Sequence, residues 1–300
     1  MASFLHGMIL LCCLSFSVTI FAAEYTVAVR AHKGIESAYQ QWQATINVLN
    51  EKIPEHIFQL LPIVGLDEIT KRAGNNEFDF LLTNPSSYIE VNERFNAKAL
   101  VTLNNRRGNT AQSRFGSVIF THVNNLDVLK IGDLKGRRLM VVSEPAFGGW
   151  RVGWLEMLEQ GFEPYEDLGE LVFTKNKTQQ EVVFSVYDRK VDAGIVRTDL
   201  LERMEKAGKI DMRYFRVINN KNVKGFPFFL STKLYPEWAF AVLNKVPLSD
   251  AGKVKKVLLS IKEGSVAAVQ GKYVGWISTR DYSPVKKLMR TLKVGPYQNK

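Results

Sequence analysis

Hydrophobic and polar positions alternate along this chain in two periods, and the switches between them mark out its elements. Residues 25–29 (YTVAV) and 58–64 read as strands. Between them Ala38, Trp42, Ile46 and Leu49 recur at helical spacing, which predicts a helix over residues 35–52. A short helix over 66–73 and an apolar strand over 78–82 follow, and that strand runs into Thr83-Asn84-Pro85-Ser86-Ser87-Tyr88, with a helix beginning near Ser87. Further strands are predicted over 115–121, 139–142, 171–174 and 193–196. Further helices are predicted over 180–189, 200–207, 236–243, 250–263 and 284–292. Strands alternating with helices imply an α/β fold of mostly parallel sheets covered on both faces. Ligands of such sheets bind beyond the carboxyl ends of the strands, where the loops at Arg30, Asn84 and Ser143 fall.

The stretch 138–161 (RLMVVSEPAFGGWRVGWLEMLEQG) combines a strand, a small-residue loop and a helix expected to start near Gly148-Gly149 and to end at Gly161. A helix start offers unpaired N–H groups and the positive end of its dipole, and two glycines let a ligand approach that backbone. This predicts one half of an anion-binding cleft; the alternative is a plain β-α connection whose glycines only solve a turn.

Composition narrows the class. Residues 1–23 hold an apolar core from about Met8 to Ala22 and no Lys, Arg, Asp or Glu, a pattern expected of a secretory signal peptide cleaved after Ala22 or Ala23. Cys12 and Cys13 both lie in this segment, so the mature chain is expected to carry no disulfide and no thiol chemistry. The formal charge of +10 falls entirely on the remainder and suits anionic partners. An exported chain without a basic run is not expected to meet nucleic acid. His56 and His122 have no partner at metal-ligand spacing, and no GxSxG elbow or hydrolase-type His-Glu pair is present. Neither a metal, a cofactor nor a catalytic residue is therefore expected.

The segments FDFLLTNPSSY (78–88), RFGSVIFT (114–121), DLKGRRL (133–139), FGGW (147–150), VDAGIVRTDLLERM (191–204), FPFFLSTKLYPEW (226–238) and LKVGPY (292–297) form an ordered set spanning nearly the whole mature chain. On these residues the chain resembles the type II periplasmic binding proteins of the phosphate, phosphite and phosphonate-binding family. Within that family it is similar to the sensor domains preceding tetrathionate-responsive histidine kinases. The resemblance implies two lobes joined by paired crossings: residues 24–119 with 228–300, and residues 120–227. It implies a periplasmic monomer closing over a small oxyanion, for delivery to an ABC transporter or as the input of a two-component histidine kinase system. Carried over, the ligand would meet Ser86, Ser87 and Tyr88 from the first lobe, and Ser143, Gly148, Gly149, Trp150, Arg197 and Thr198 from the second. Two departures, Ala146-Phe147-Gly148-Gly149 where relatives have a hydroxyl-rich loop and Gln179 where they often have His, point to a larger, softer oxyanion than phosphate.

Each candidate has a plainer reading. Arg197 can instead pair with Asp199 or Glu202, and Ser86, Ser87 and Thr198 can serve as helix caps. Trp150 and Trp154, at i and i+4, suit a core. Arg30, His32 and Lys33 can complete the cleft or lie on solvated surface.

Overall fold

A computed structural model describes residues 23–298; the predicted signal segment, residues 1–23, lies outside the described residues except for Ala23, which opens the first strand. The chain order is β1 (Ala23–Arg30), α1 (Ile35–Lys52), β2 (His56–Ile63), α2 (Leu66–Gly74), β3 (Phe80–Thr83), α3 (Pro85–Phe95), β4 (Lys98–Arg107), β5 (Thr110–Gln112), β6 (Arg114–Phe115), β7 (Ser117–His122) and β8 (Arg138–Val141). It continues through α4 (Val152–Glu159), α5 (Pro164–Asp167), β9 (Glu170–Phe173), α6 (Gln179–Tyr187), β10 (Ala193–Arg197), α7 (Leu200–Lys206), β11 (Phe215–Ile218) and β12 (Tyr235–Pro236). It closes with β13 (Ala239–Val242), α8 (Leu248–Ser260), α9 (Val266–Gly271), β14 (Tyr273–Ser278) and α10 (Ser283–Thr291).

Two large sheets result, one ordered β14-β4-β13-β3-β1-β2 with β5 beside β4, the other β11-β7-β10-β8-β9, and β6 and β12 form a separate two-stranded ribbon. Period-2 alternation sorts their side chains: Val27 and Val29 of β1 face α1, whereas Ala28 faces α2. In the second sheet Val118 and Phe120 of β7 pack with α6 and α7, and Ile119 packs with Trp150 and Met157 on the other face. The α/β architecture of two covered sheets is therefore present, but the pairing is mixed rather than mostly parallel. Strands β2, β1 and β3 run parallel, while β13, β4 and β14 are antiparallel to their neighbours.

In the second sheet β7 is antiparallel to both β10 and β11; in the first, the difference begins at β13. The run WAFAV was expected to be helical, yet it is a strand buried between β3 and β4. Phe240 and Val242 fill one face of the sheet and Ala239 and Ala241 the other, a large-small alternation that a short apolar run does not distinguish from a helix. Strands β4, β11 and β14 also exceed the sequence reading; β4 hides its apolar half, Ala99 to Leu103, beneath a polar end. The chain crosses between sheets at β6 and returns at β12, and these two segments pair antiparallel, Phe115 opposite Tyr235. The predicted lobe boundary at residues 119 and 120 falls inside β7, all of which lies in the second sheet.

Candidate functional site

The residues expected around the ligand are mostly committed to packing. Asn84 caps α3: its side-chain oxygen accepts from the Ser87 amide at 3.1 Å and from the Ser86 hydroxyl at 2.8 Å. Both serines are buried, and Ser87 Oγ has no hydrogen-bond partner among the described residues. Tyr88 turns into an apolar cluster, edge-on to Tyr282 at 4.9 Å, and its hydroxyl accepts from the Ala99 amide at 3.1 Å. Burial holds that phenol above its ordinary pKa.

The Gly148-Gly149 element differs from a bare helix start. Phe147–Arg151 forms one π-turn, all five residues buried, which leads into α4. A Cβ on Gly148 would lie 2.8 Å from the Phe115 ring, and one on Gly149 2.6 Å from Val142 Cγ2. The Gly148 carbonyl accepts from the Ser117 hydroxyl at 2.7 Å. Trp150 is fully buried and stacks on Trp154 with centroids 5.6 Å apart. Ser143 is partly exposed, and its carbonyl closes a turn to the Ala146 amide at 3.0 Å. Here the glycines let a turn sit against a strand, and the element expected to face a ligand faces protein.

Charge converges instead at the end of β10. The Arg197 guanidinium lies 4.0 Å over the Phe115 ring and donates through Nη2 to Glu237 Oε1. Its partner is therefore neither Asp199 nor Glu202. Glu237 follows β12 directly and is completely buried. Its carboxylate also accepts from Asn105 Nδ2 at 3.0 Å and the Trp238 amide at 3.2 Å, with Arg107 Nη2 at 3.8 Å. Arg107 Nη1 meets Asp199 Oδ2 at 3.5 Å, and Arg203 Nε meets the same oxygen at 2.8 Å. Two local contacts position this end of β10. The Arg197 amide donates to Gln179 Oε1 at 2.6 Å, and Thr198 exchanges bonds with Gly116, its amide donating at 3.1 Å and its hydroxyl accepting at 3.3 Å. Thr198 thus fastens the second sheet to the crossing.

A second group of cations joins the first. His32 and Lys33 follow β1 and keep solvent-facing surface, and the His32 ring packs edge-on to Trp238 at 5.6 Å. Desolvation, with the charges of Lys33, Arg30 and Arg197, pushes the His32 imidazole down to about 4. Lys33 is lowered by desolvation and then by Lys272, Arg203 and Arg107. Desolvation and the Arg197 charge bring Arg107 down to about 10, still a cation at neutral pH. Arg30 Nη1, Arg107 Nε and Arg197 Nε are buried without hydrogen-bond partners among the described residues. The cations border two recesses. One includes Arg107, Arg197 and Phe226 in its lining; the other includes Arg30, Lys33 and Gln41. Such a surface can hold an anion by charge and by donors that nothing else uses. No cluster of His, Cys, Asp or Glu able to hold a metal occurs among the described residues.

Sequence reading overlooked Arg107 and Glu237. Arg107 lies in no predicted element, and Glu237 sits in a predicted helix; the available signal was a lone carboxylate inside the apolar run YPEWAFAV.

A model of the periplasmic substrate-binding proteins of phosphonate ABC transporters matches residues 29–287. The chain belongs to this phosphonate-binding family. Its fold is the two-lobed one of periplasmic binding proteins. The Prochlorococcus marinus protein PhnD1, solved with methylphosphonate, superposes with a TM-score of 0.67 at 12% identity, covering 90% of this chain and 98% of that one. A binding-protein component of a phosphonate ABC transporter from Pseudomonas aeruginosa gives 0.65 at 11% identity, over 90% and 86% of the two chains. Among curated proteins, the tetrathionate sensor histidine kinase TtrS of Salmonella typhimurium is 26% identical over 281 residues, 93% of this chain and 45% of that protein. The chain thus spans less than half the length of that relative. No helix among the described residues is long and apolar enough to cross a membrane.

Proposed function

We propose that this family member captures a divalent oxyanion in the cation-bordered cleft between its sheets, with Arg30, Lys33 and Arg107 on the side of the first sheet and Arg197 on the side of the second. The observation that carries the reading is a set of buried guanidinium nitrogens from both sheets, Arg30 Nη1, Arg107 Nε and Arg197 Nε, that have no hydrogen-bond partner among the described residues. An anion with charge at both ends and a soft middle suits that arrangement better than compact phosphate. Tetrathionate is such an anion, and the likeness to a tetrathionate sensor supports naming it first. Ser86, Ser87, Ser143 and the 148–150 turn then act behind the ligand surface, holding its walls, with Tyr88 and Thr198.

The two lobes are proposed to move about the β6-β12 ribbon, and ligand contact with both shifts the population towards closure. A sensory input to a histidine kinase is favoured by the curated relative, and delivery to a transporter by the family description. Thermal unfolding of residues 24–298 with tetrathionate, thiosulfate, sulfate, phosphate and methylphosphonate tests the ligand. An anion at about 100 times its dissociation constant adds about 2.7 kcal/mol to stability. The expected result is a selective rise in midpoint with tetrathionate, abolished in Arg197→Ala. A larger response to phosphate than to every sulfur oxyanion would overturn the choice of ligand.

A further inference from the structure

Arg197, one of the cations that border the cleft, already holds an anion of the protein's own. Glu237 is fully buried, and its carboxylate meets Arg197 in the manner expected of a bound oxyanion, with Asn105 and the Trp238 amide as further donors and Arg107 alongside. We infer that Glu237 is an internal competitor for Arg197 that sets the cleft's preference for divalent over monovalent anions. The inference rests on the anion-binding reading above.

The physical argument is an exchange. A monovalent anion that displaces Glu237 from Arg197 replaces one carboxylate contact by another of equal charge, and leaves a buried carboxylate short of its strongest partner, so little is gained. A dianion that reaches Arg197 with one end and Arg30 or Lys33 with the other adds a contact that Glu237 does not make. The donors for such an anion exist: Arg197 Nε and Arg30 Nη1 are buried and unpartnered among the described residues. Position adds a consequence for motion. Glu237 directly follows β12, its amide donates to Ser113 at 3.0 Å across the crossing, and Arg197 rests on Phe115 of β6. The exchange therefore takes place on the ribbon that joins the two sheets.

Isothermal titration of wild type, Glu237→Gln and Arg197→Gln/Glu237→Gln with tetrathionate and with methanesulfonate tests this. Glutamine keeps the shape and removes the charge. Methanesulfonate affinity is expected to rise at least tenfold in Glu237→Gln, so that the dianion-to-monoanion ratio falls by a similar factor. The double variant should lose the gain. Glu237→Asp, which keeps the charge but withdraws it by one methylene, should move the ratio the same way by less, and it serves if the glutamine variant does not fold. An unchanged ratio in the variants, with wild type binding tetrathionate, would overturn the inference and leave the anion-binding reading standing. If wild type binds no anion at all, that reading falls and the inference with it.

Discussion

His32 illustrates how a single side chain can report on the whole cleft. Its pKa of about 4 lies below the unfolded value, so the folded state prefers neutral imidazole. Between pH 6.5 and 4 the unfolded chain binds more protons, and the His32 contribution to stability declines as pH falls through that window. A bound anion offsets the neighbouring cations and raises the folded pKa. Anion affinity should therefore strengthen as pH drops from about 6.5 towards 4, with an upward shift of the His32 resonance midpoint on ligand addition, followed by imidazole NMR. A His32→Gln variant should lose that pH dependence. The same residue shows what local reading misses: the sequence leaves His32 either cleft or solvated surface, and it has both, an exposed edge and, beside Arg30 and Lys33, the charge of Arg197 brought in from β10.

At the scale of elements, the Phe147–Arg151 turn and α4 were legible as a helix following a strand, but their orientation was not. Close packing requires glycine at position 149, because a Cβ there would meet Val142 at 2.6 Å. Gly149→Ala is expected to destabilise the fold by about 1–3 kcal/mol through overpacking, while leaving anion affinity within twofold; urea denaturation and titration separate the two effects. A ligand-lining glycine would give the opposite pattern. Strand β13 makes the related point for periodicity. Its alanines read as helix formers in isolation, yet Ala239 and Ala241 are required small because α10 and α3 pack on that face.

For the whole molecule, the feature with most consequence is an apolar cluster that draws from both sides of the crossing. Ile89 of α3, Leu155 of α4 and Val285, Leu288 and Met289 of α10 share it with Phe115 and Tyr235 of the ribbon. The two sheets are thus not linked by β6 and β12 alone. Leu288 is completely buried, so Leu288→Ala should cost about 2–5 kcal/mol. Hydrogen exchange is expected to accelerate together in α3 and α4, since the cluster unites them; acceleration confined to α3 and α10 would mean that the halves open independently.

The sequence by itself determined the elements that carry their own period and caps: α1, whose predicted and observed limits coincide, β1, β2, α2, and β10 with its polar end. It also determined the α/β class and the family likeness, because ordered short segments survive where overall identity is low. Tertiary structure decided what the loops face. Gly148 and Trp150 carry the local signature of an anion site but turn towards Phe115 and Trp154, since burial of their neighbours outweighs the pull of an exposed helix start. Arg197, Arg107 and Glu237 lie far apart in sequence and meet only because β10, β4 and the end of β12 converge at one crossing. A charge constellation of that kind has no local pattern to read; it exists only once the chain has crossed between its two sheets and returned.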